Sequence, residues 1–441
     1  MIKWHYDVCV LADSPSAYLS ALLLSEDGYR VLLCGRKNVN GQGTYKPYTP
    51  FCFSSSGPLM KLLKKFSTDK SGELKIESVS LQVVLPHGRG ELYTDHELRM
   101  RELRWFFGNE YDGEVKRLEG LENLQEKIKK LFDDLSEPHP TIGEKIIFWL
   151  KKRAISREEE VLSERGSHFL FRIIRNFISS PLNGRCPRSP FLIHVLAGQA
   201  YSLVDYPESL IKWCRERQSS GFEFVPFSEV EVDPEFKFLR VKGDAVTCKF
   251  FLVGTEIFKS LFPDLARKAF RNFIPARFWF PLRMEIKKDG LPVGMGKYLI
   301  MVNPSKAFEN GNLLIMNVMN TEENVIIDAY SLWDMENRDK NRIVEDIAGT
   351  VMDRCMELMP FLKRHLLHLY YPEKPEEIPA TFFNHIYRLR RSIGLFSPAV
   401  SCKVGKNVFL VGPELFPQWG LDGEAMSAEY VIRMIEGRLS H

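Results

Sequence analysis

The chain has 441 residues, 44% apolar and 27% charged, a balance that builds a buried core and excludes a disordered polypeptide. Its 60 Lys and Arg against 57 Asp and Glu leave a formal net charge of +3, which excludes nucleic-acid binding by bulk charge. The eight cysteines are scattered without a C-x-x-C pair or zinc spacing, and no run reaches the ~18 apolar residues of a membrane span. Reduced, buried thiols and a cytoplasmic location are the expectation, since MIKWHYDVCVLAD lacks the apolar core and cleavage site of a signal peptide.

Residues 6–37 read as strand, turn, helix, strand. Val8, Cys9, Val10 and Leu11 make an apolar run suited to a buried parallel strand. The turn ADSPS follows, then a helix carrying Ala17, Leu19, Ala21, Leu22, Leu23 and Leu24. Gly28 ends it, and Val31, Leu32 and Leu33 form the next strand. A dinucleotide-binding unit of this form carries G-x-G-x-x-G at the turn, so that a pyrophosphate can rest on the helix N-terminus, and an acid at the end of the second strand for the ribose. The three glycine positions here are Ala12, Ser14 and Ala17, and the acidic position is Gly35, followed by Arg36 and Lys37. With Asp13 or Ser14 as N-cap, and Pro15 and Ser16 opening the helix, the start reads as self-capped. A side-chain oxygen would take the amides that a phosphate uses. Arg36 and Lys37 suit either a 2′-phosphate or a solvated basic turn, and the second is expected.

Between 110 and 200, Leu118, Leu121, Leu124, Ile128, Leu131, Phe132 and Leu135 fall at helical spacing. EKIIFWLKKRA and FLFRIIRNFI, within 144–178, join apolar to basic residues; they read as buried helical faces and leave a peripheral membrane contact open. Residues 276–333 read as strands of a mixed sheet, with Phe278, Phe280, Met284, Met316 and Met319 filling a core or lining an apolar pocket. Residues 337–369 read as a long helical stretch ending near Pro360, with His365 and His368 three apart but no further ligands, so no metal is expected. YRLRRS (387–392) is the densest basic patch, suited to a phosphate, an acidic partner or simply solvent. His194, Ser189 and Asp205 imply no nucleophilic triad, and no catalytic residue is assigned.

Residues 407–435, NVFLVGPELFPQWGLDGEAMSAEYVIRMI, form a strand, a turn and a final helix. Together with the first unit they resemble the FAD-dependent phytoene desaturase and amine oxidase superfamily, in which the last strand ends in Gly-Asp and a turn G-x-x-G-A opens the helix. Gly412 matches, Pro413 stands at the Asp with Glu414 beside it, and Gly420, Leu421, Asp422 and Gly423 match the second turn. The order of landmarks agrees over nearly the whole chain, and the resemblance places Val230 near the adenine. It implies an α/β fold: an FAD/NAD(P)-binding Rossmann-like domain from 1–110, 200–260 and 400–441, a helical cap at 111–199, and a mixed-sheet substrate-type domain with a helix at 261–399.

The departures at Ala12, Ser14, Ala17, Gly35 and Pro413 fall together on the groups the family uses for FAD. They imply a degenerate relative, a pseudoenzyme or binding protein with weakened or lost FAD binding, whose partner is a protein or a lipophilic small molecule. The alternative is an active FAD-dependent oxidoreductase of desaturase, isomerase or amine-oxidase type on a lipophilic substrate such as an isoprenoid. On this reading, glycine at 12 and 14 and an acid at 35 would raise flavin uptake.

Overall fold

The structure is a computed structural model that describes residues 5–12, 14–35, 45–50, 53–66, 74–86, 88–113, scattered positions between 115 and 155, 182–183, 200–217, 222–233, 235–306, 309–337, 343–391, 393–394 and 396–439. Most of the expected helical cap, including the bulk of 144–178, lies outside the described residues, as do Asp13, Arg36, Lys37, Ser189 and His194.

The apolar run at the start becomes β1 (His5–Leu11), buried almost throughout because it has neighbours on both edges and layers on both faces. α1 (Pro15–Glu26) follows, with every residue from Pro15 to Ser25 buried. A helix that is apolar all round has to be enclosed, and α1 is, packing on the final helix, Asp422–Leu439, and on the helix Glu208–Glu216. β2 (Val31–Gly35) pairs parallel with β1, Val8 opposite Val31 and Leu11 opposite Cys34. α2 (Pro58–Lys65) lies against the final helix. On the other edge of β1 runs β3 (Asp244–Gly254), also parallel. The sheet therefore reads Phe222–Pro226, β2, β1, β3, Val408–Val411, while the first half of β3 carries an antiparallel extension through Leu239–Val241 and Val230–Val232.

α3 (Thr255–Leu261) and α4 (Pro263–Ala269) lead from this sheet into β4 (Phe273–Lys287), the spine of a nine-stranded mixed sheet. β4 pairs with Asn324–Asp334 on one side and with β5 (His385–Leu389) and Leu366–Tyr370 on the other. Strand alternation sorts its side chains. Phe278, Phe280, Leu282 and Met284 join Val344, Ile347, Val351 and Cys355 of the helix Ile343–Leu358, while Trp279 belongs to the core shared with the parallel sheet. Phe278, Phe280, Met284 and Met316 are therefore core, and Met319 reaches a cavity wall.

Two expectations change. Strands Leu81–Leu85 and Gly88–Leu92 join the mixed sheet through Tyr298–Met301, although they fall within 1–110. The helix after residue 337 ends at Leu358, near Pro360 as expected, but the rest of 337–369 is a short helical turn, Leu362–His365, and the start of a strand, Leu366–Tyr370. His365 and His368 thus sit on different elements, and no group of three metal-ligating side chains occurs among the described residues.

Asn384 fastens the segment 45–50 to the mixed sheet. It is fully buried, its Oδ1 accepts from the Tyr48 amide at 2.8 Å, and its Nδ2 donates to the carbonyls of Trp279 at 2.9 Å and Pro379 at 3.0 Å. The Tyr48 ring then stacks on Trp279 with centroids 4.5 Å apart. Asn384→Ala strands three buried backbone groups and is expected to lower stability by about 1–3 kcal/mol in a urea titration.

Candidate functional site

Ser14 caps α1 with extended backbone and Pro15 opens the first turn, as the sequence implies. The Ser14 side chain makes no capping bond; its hydroxyl lies 3.0 Å from that of Ser16. Ser14 therefore does not cap the helix with its own side chain, and Asp13 lies outside the described residues. The Ser16 amide instead donates to Glu424 Oε2 at 3.0 Å, across 408 positions of sequence. Glu424 is 2% exposed and projects from the first turn of the final helix. A carboxylate of the chain occupies the spot on a helix N-terminus that suits an anion.

Asp422, two residues earlier, does the same for α2. Its Oδ1 accepts from the Leu59 amide at 3.1 Å and its Oδ2 from the Ser54 amide at 3.0 Å. The fit requires glycine at the α2 N-cap, because a Cβ on Gly57 would stand 2.3 Å from the carboxylate. Burial raises the Asp422 carboxyl to about 7, and the two amides act against that rise.

Glu414 is also engaged. Thr255 donates its hydroxyl to Glu414 Oε2 at 2.6 Å, and Lys259 Nζ lies 2.7 Å from both Glu414 Oε1 and Glu256 Oε1. Burial opposes the Lys259 charge, but the two carboxylates outweigh it and hold the ammonium above its usual range. The Gly412 amide donates to Ser427 Oγ at 3.0 Å, Pro413 lines the cavity, and Gly420, Leu421 and Gly423 are buried at the entrance to the final helix.

Gly35 closes β2 where an acid would meet a ribose, and the phenol of Tyr18 covers it. A Cβ on Gly35 would stand 2.3 Å from the Tyr18 hydroxyl, and Tyr18 is 2% exposed. Ala12 and Ala17 are buried beneath the turn. Val230 is half-buried in the antiparallel extension and forms no part of the cavity wall.

Between the two sheets lies a cavity of about 440 Å³, within the range of small-molecule sites. Ala12, Pro15, Tyr18 and Glu424 form one end of it, and Asn317, Tyr298 and Tyr330 come from the mixed sheet. Asp205, Glu208, Glu256, Asp328 and Glu424 outnumber Lys46 and Lys297 on its walls. Asp328 is paired with Arg283 at 2.6 and 2.8 Å, and Lys297 with Glu77. Burial, then the Glu424 and Glu208 charges, keep the Tyr206 phenol protonated well above its ordinary range. Glu208 Oε2 and Asn317 Oδ1 are buried without a hydrogen-bond partner among the described residues.

These residues do not fit FAD held in the superfamily's manner. A pyrophosphate would have to displace Glu424 from Ser16, the ribose would meet Tyr18, and Glu414 is committed to Thr255 and Lys259. Sequence reasoning missed Tyr18 and the role of Glu424. The signal for Glu424 was present: it stands in the small-residue position of G-x-x-G-A, one place after Gly423.

No family model and no curated protein matches the chain. Solved structures do. The chain is similar to an oxidoreductase from Methanosarcina mazei at 14% identity and a TM-score of 0.52, covering 97% of this chain and 100% of that one. It is similar to a triple mutant of putrescine oxidase, made to redesign cofactor binding, at 11% identity and 0.54, covering 98% and 99%. It is also similar to cyclohexylamine oxidase from Brevibacterium oxydans at 9% identity and 0.52, covering 99% and 100%. The likeness is one of fold, and the expected α/β architecture is the one observed.

Gly35→Ala is expected to overpack against Tyr18 and cost about 1–3 kcal/mol. Tyr18→Phe should recover part of that loss, so a double-mutant cycle in urea reads a favourable coupling between the two changes. Asp422 sets a pH dependence. Its folded pKa is raised, so between its ordinary value of 3.8 and about 7 the folded chain holds a proton that the unfolded chain has released. Stability from this group is greatest at the acid end and falls as pH rises to about 7. Asp422→Asn should flatten that slope in urea titrations across the window.

Proposed function

We propose that this chain is a degenerate relative of the FAD-dependent oxidoreductases that works as a binding protein through its interdomain cavity, without tight FAD binding. The Glu424 carboxylate on the Ser16 amide carries the reading. A nanomolar cofactor needs about 12 kcal/mol. Each lost charge-assisted hydrogen bond removes about 1.5–3 kcal/mol of that. Repulsion between Glu424 and a pyrophosphate adds to the loss. The covered Gly35 and the committed Glu414 support the same conclusion.

The cavity favours a ligand with an apolar body and a hydrogen-bond-donating head. Tyr48, Tyr330, Phe382 and Phe383 supply aromatic wall. Glu208 Oε2 and Asn317 Oδ1 supply acceptors that lack donors among the described residues. The alternative, an active FAD oxidoreductase, draws support from the retained fold and from a cavity that begins at the first turn.

The two readings separate on the purified protein. The expected result is a colourless chain that takes up FAD weakly in a fluorescence titration. Adding glycine at 12 and 14 and an acid at 35 gives no gain on its own, because Glu424 and Tyr18 remain. Glu424→Ala with Tyr18→Ala should tighten FAD at least about tenfold, the equivalent of one charge-assisted bond restored. A stoichiometric flavin band released from the unaltered protein would overturn the proposal.

A further inference from the structure

The basic run at 387–392 does not belong to the cavity. The fold brings it against a second basic segment that the sequence keeps 120 positions away. β5 pairs antiparallel with the start of β4, placing Arg388 directly opposite Ile274. Just before that pair, Asn272 ties the two segments together: the Arg391 amide donates to Asn272 Oδ1 at 2.7 Å, and the Arg390 amide to the Asn272 carbonyl at 3.0 Å. Arg271 is next in the chain, and Lys268 lies in the last turn of α4.

Arg271, Arg388 and Arg391 are exposed, as is Lys268, and none of the four pairs with a carboxylate among the described residues. Ile274 faces Arg388 across the strand pair, and α3 and α4, which lead into β4, carry exposed leucines. Leu265 is 52% exposed, Leu261 42% and Ile274 38%. Exposed large apolar residues are ordinary when scattered, but exposed apolar residues on the same short stretch of chain as a basic cluster without carboxylate partners point to an interaction surface. With a net charge of only +3 for the whole chain, this concentration is local.

We propose that the edge formed by α4, the start of β4 and the end of β5 docks on an anionic lipid bilayer. Two observations select a bilayer over a soluble acidic partner. The arginines complement anionic headgroups, each basic residue near such a surface adding attraction that salt screens. Leu261, Leu265 and Ile274, on α3, α4 and the start of β4, are exposed among the described residues, and the headgroup–acyl boundary takes up such side chains. The arginines of this surface form no part of the cavity wall, so it does not rest on the cavity reading.

Flotation with vesicles tests it on the full chain. The protein should float with vesicles of phosphatidylcholine and phosphatidylglycerol in equal parts, stay behind with phosphatidylcholine alone, and be released by added salt. Arg271→Glu with Arg388→Glu and Arg391→Glu should weaken binding at least about tenfold. Leu265→Ser with Ile274→Ser should weaken it on the same vesicles while leaving the salt dependence in place. All five positions are exposed, and an unchanged thermal melt confirms that each variant folds. Lys363→Glu with Phe361→Ser serves as the control. These residues are also exposed, but they adjoin the far end of β4, where Ile286 faces Leu366, roughly 40 Å away at about 3.3 Å per residue. The control should bind as the parent does. Failure to float with the anionic vesicles, equal binding to both vesicle types, binding unaffected by the arginine changes, or an equal loss in the control would each overturn the proposal.

Discussion

The hydrogen bond from the Ser16 amide to Glu424 joins the two ends of the chain at the point where a helix start most needs an anion. The first amides of α1 have no partners within the helix, and the aligned peptide dipoles concentrate positive charge there. A dinucleotide fold ordinarily leaves that charge for a ligand. Here the final helix supplies the partner through Glu424, and Asp422 from the same turn accepts the amides of Ser54 and Leu59 at the start of α2. The final helix is thereby fastened to α1 and α2 by buried carboxylates as well as by apolar packing. On the proposed reading, the same arrangement would oppose a pyrophosphate at the start of α1.

The remaining departures from the nucleotide pattern become consistent around that bond. Gly35 is the residue that lets the Tyr18 phenol lie over the end of β2. Glu414, one place beyond the position of the expected acid, turns to Thr255 and Lys259. Among the described positions of the FAD pattern, the Ser16 amide and Glu414 have partners within the chain and Gly35 is covered. What stays open is the cavity between the sheets, acidic on balance and walled by tyrosines and phenylalanines.

Much of the fold was legible in the sequence because its signals are local. The run 8–11, the helix from Pro15 and the strand from Val31 declare a parallel unit by buried apolar runs and a proline at the helix start. The strands between 273 and 334 declare themselves by residue type and turns. Two assignments failed for physical reasons. Strands Leu81–Leu85 and Gly88–Leu92 join the sheet of Tyr298–Met301, a pairing across more than 200 residues that no local pattern encodes. Residues 337–369 read as a helical stretch, but beyond Pro360 β4 recruits Leu366–Tyr370 as a strand. The site was half legible. The missing glycines announced that a phosphate turn was absent, while its replacement by Glu424 and Tyr18 depends on contacts that only the folded chain makes. The basic edge shows the same limit: 387–392 was visible, and its partner around Arg271 was not.

A crystal structure grown in excess FAD at neutral pH tests the central claim most directly. The account predicts the Glu424 carboxylate within hydrogen-bond distance of the Ser16 amide, the Tyr18 phenol over Gly35, and no dinucleotide along the turn. A pyrophosphate seated on the Ser16 amide, with Glu424 displaced and Tyr18 rotated away, would contradict it.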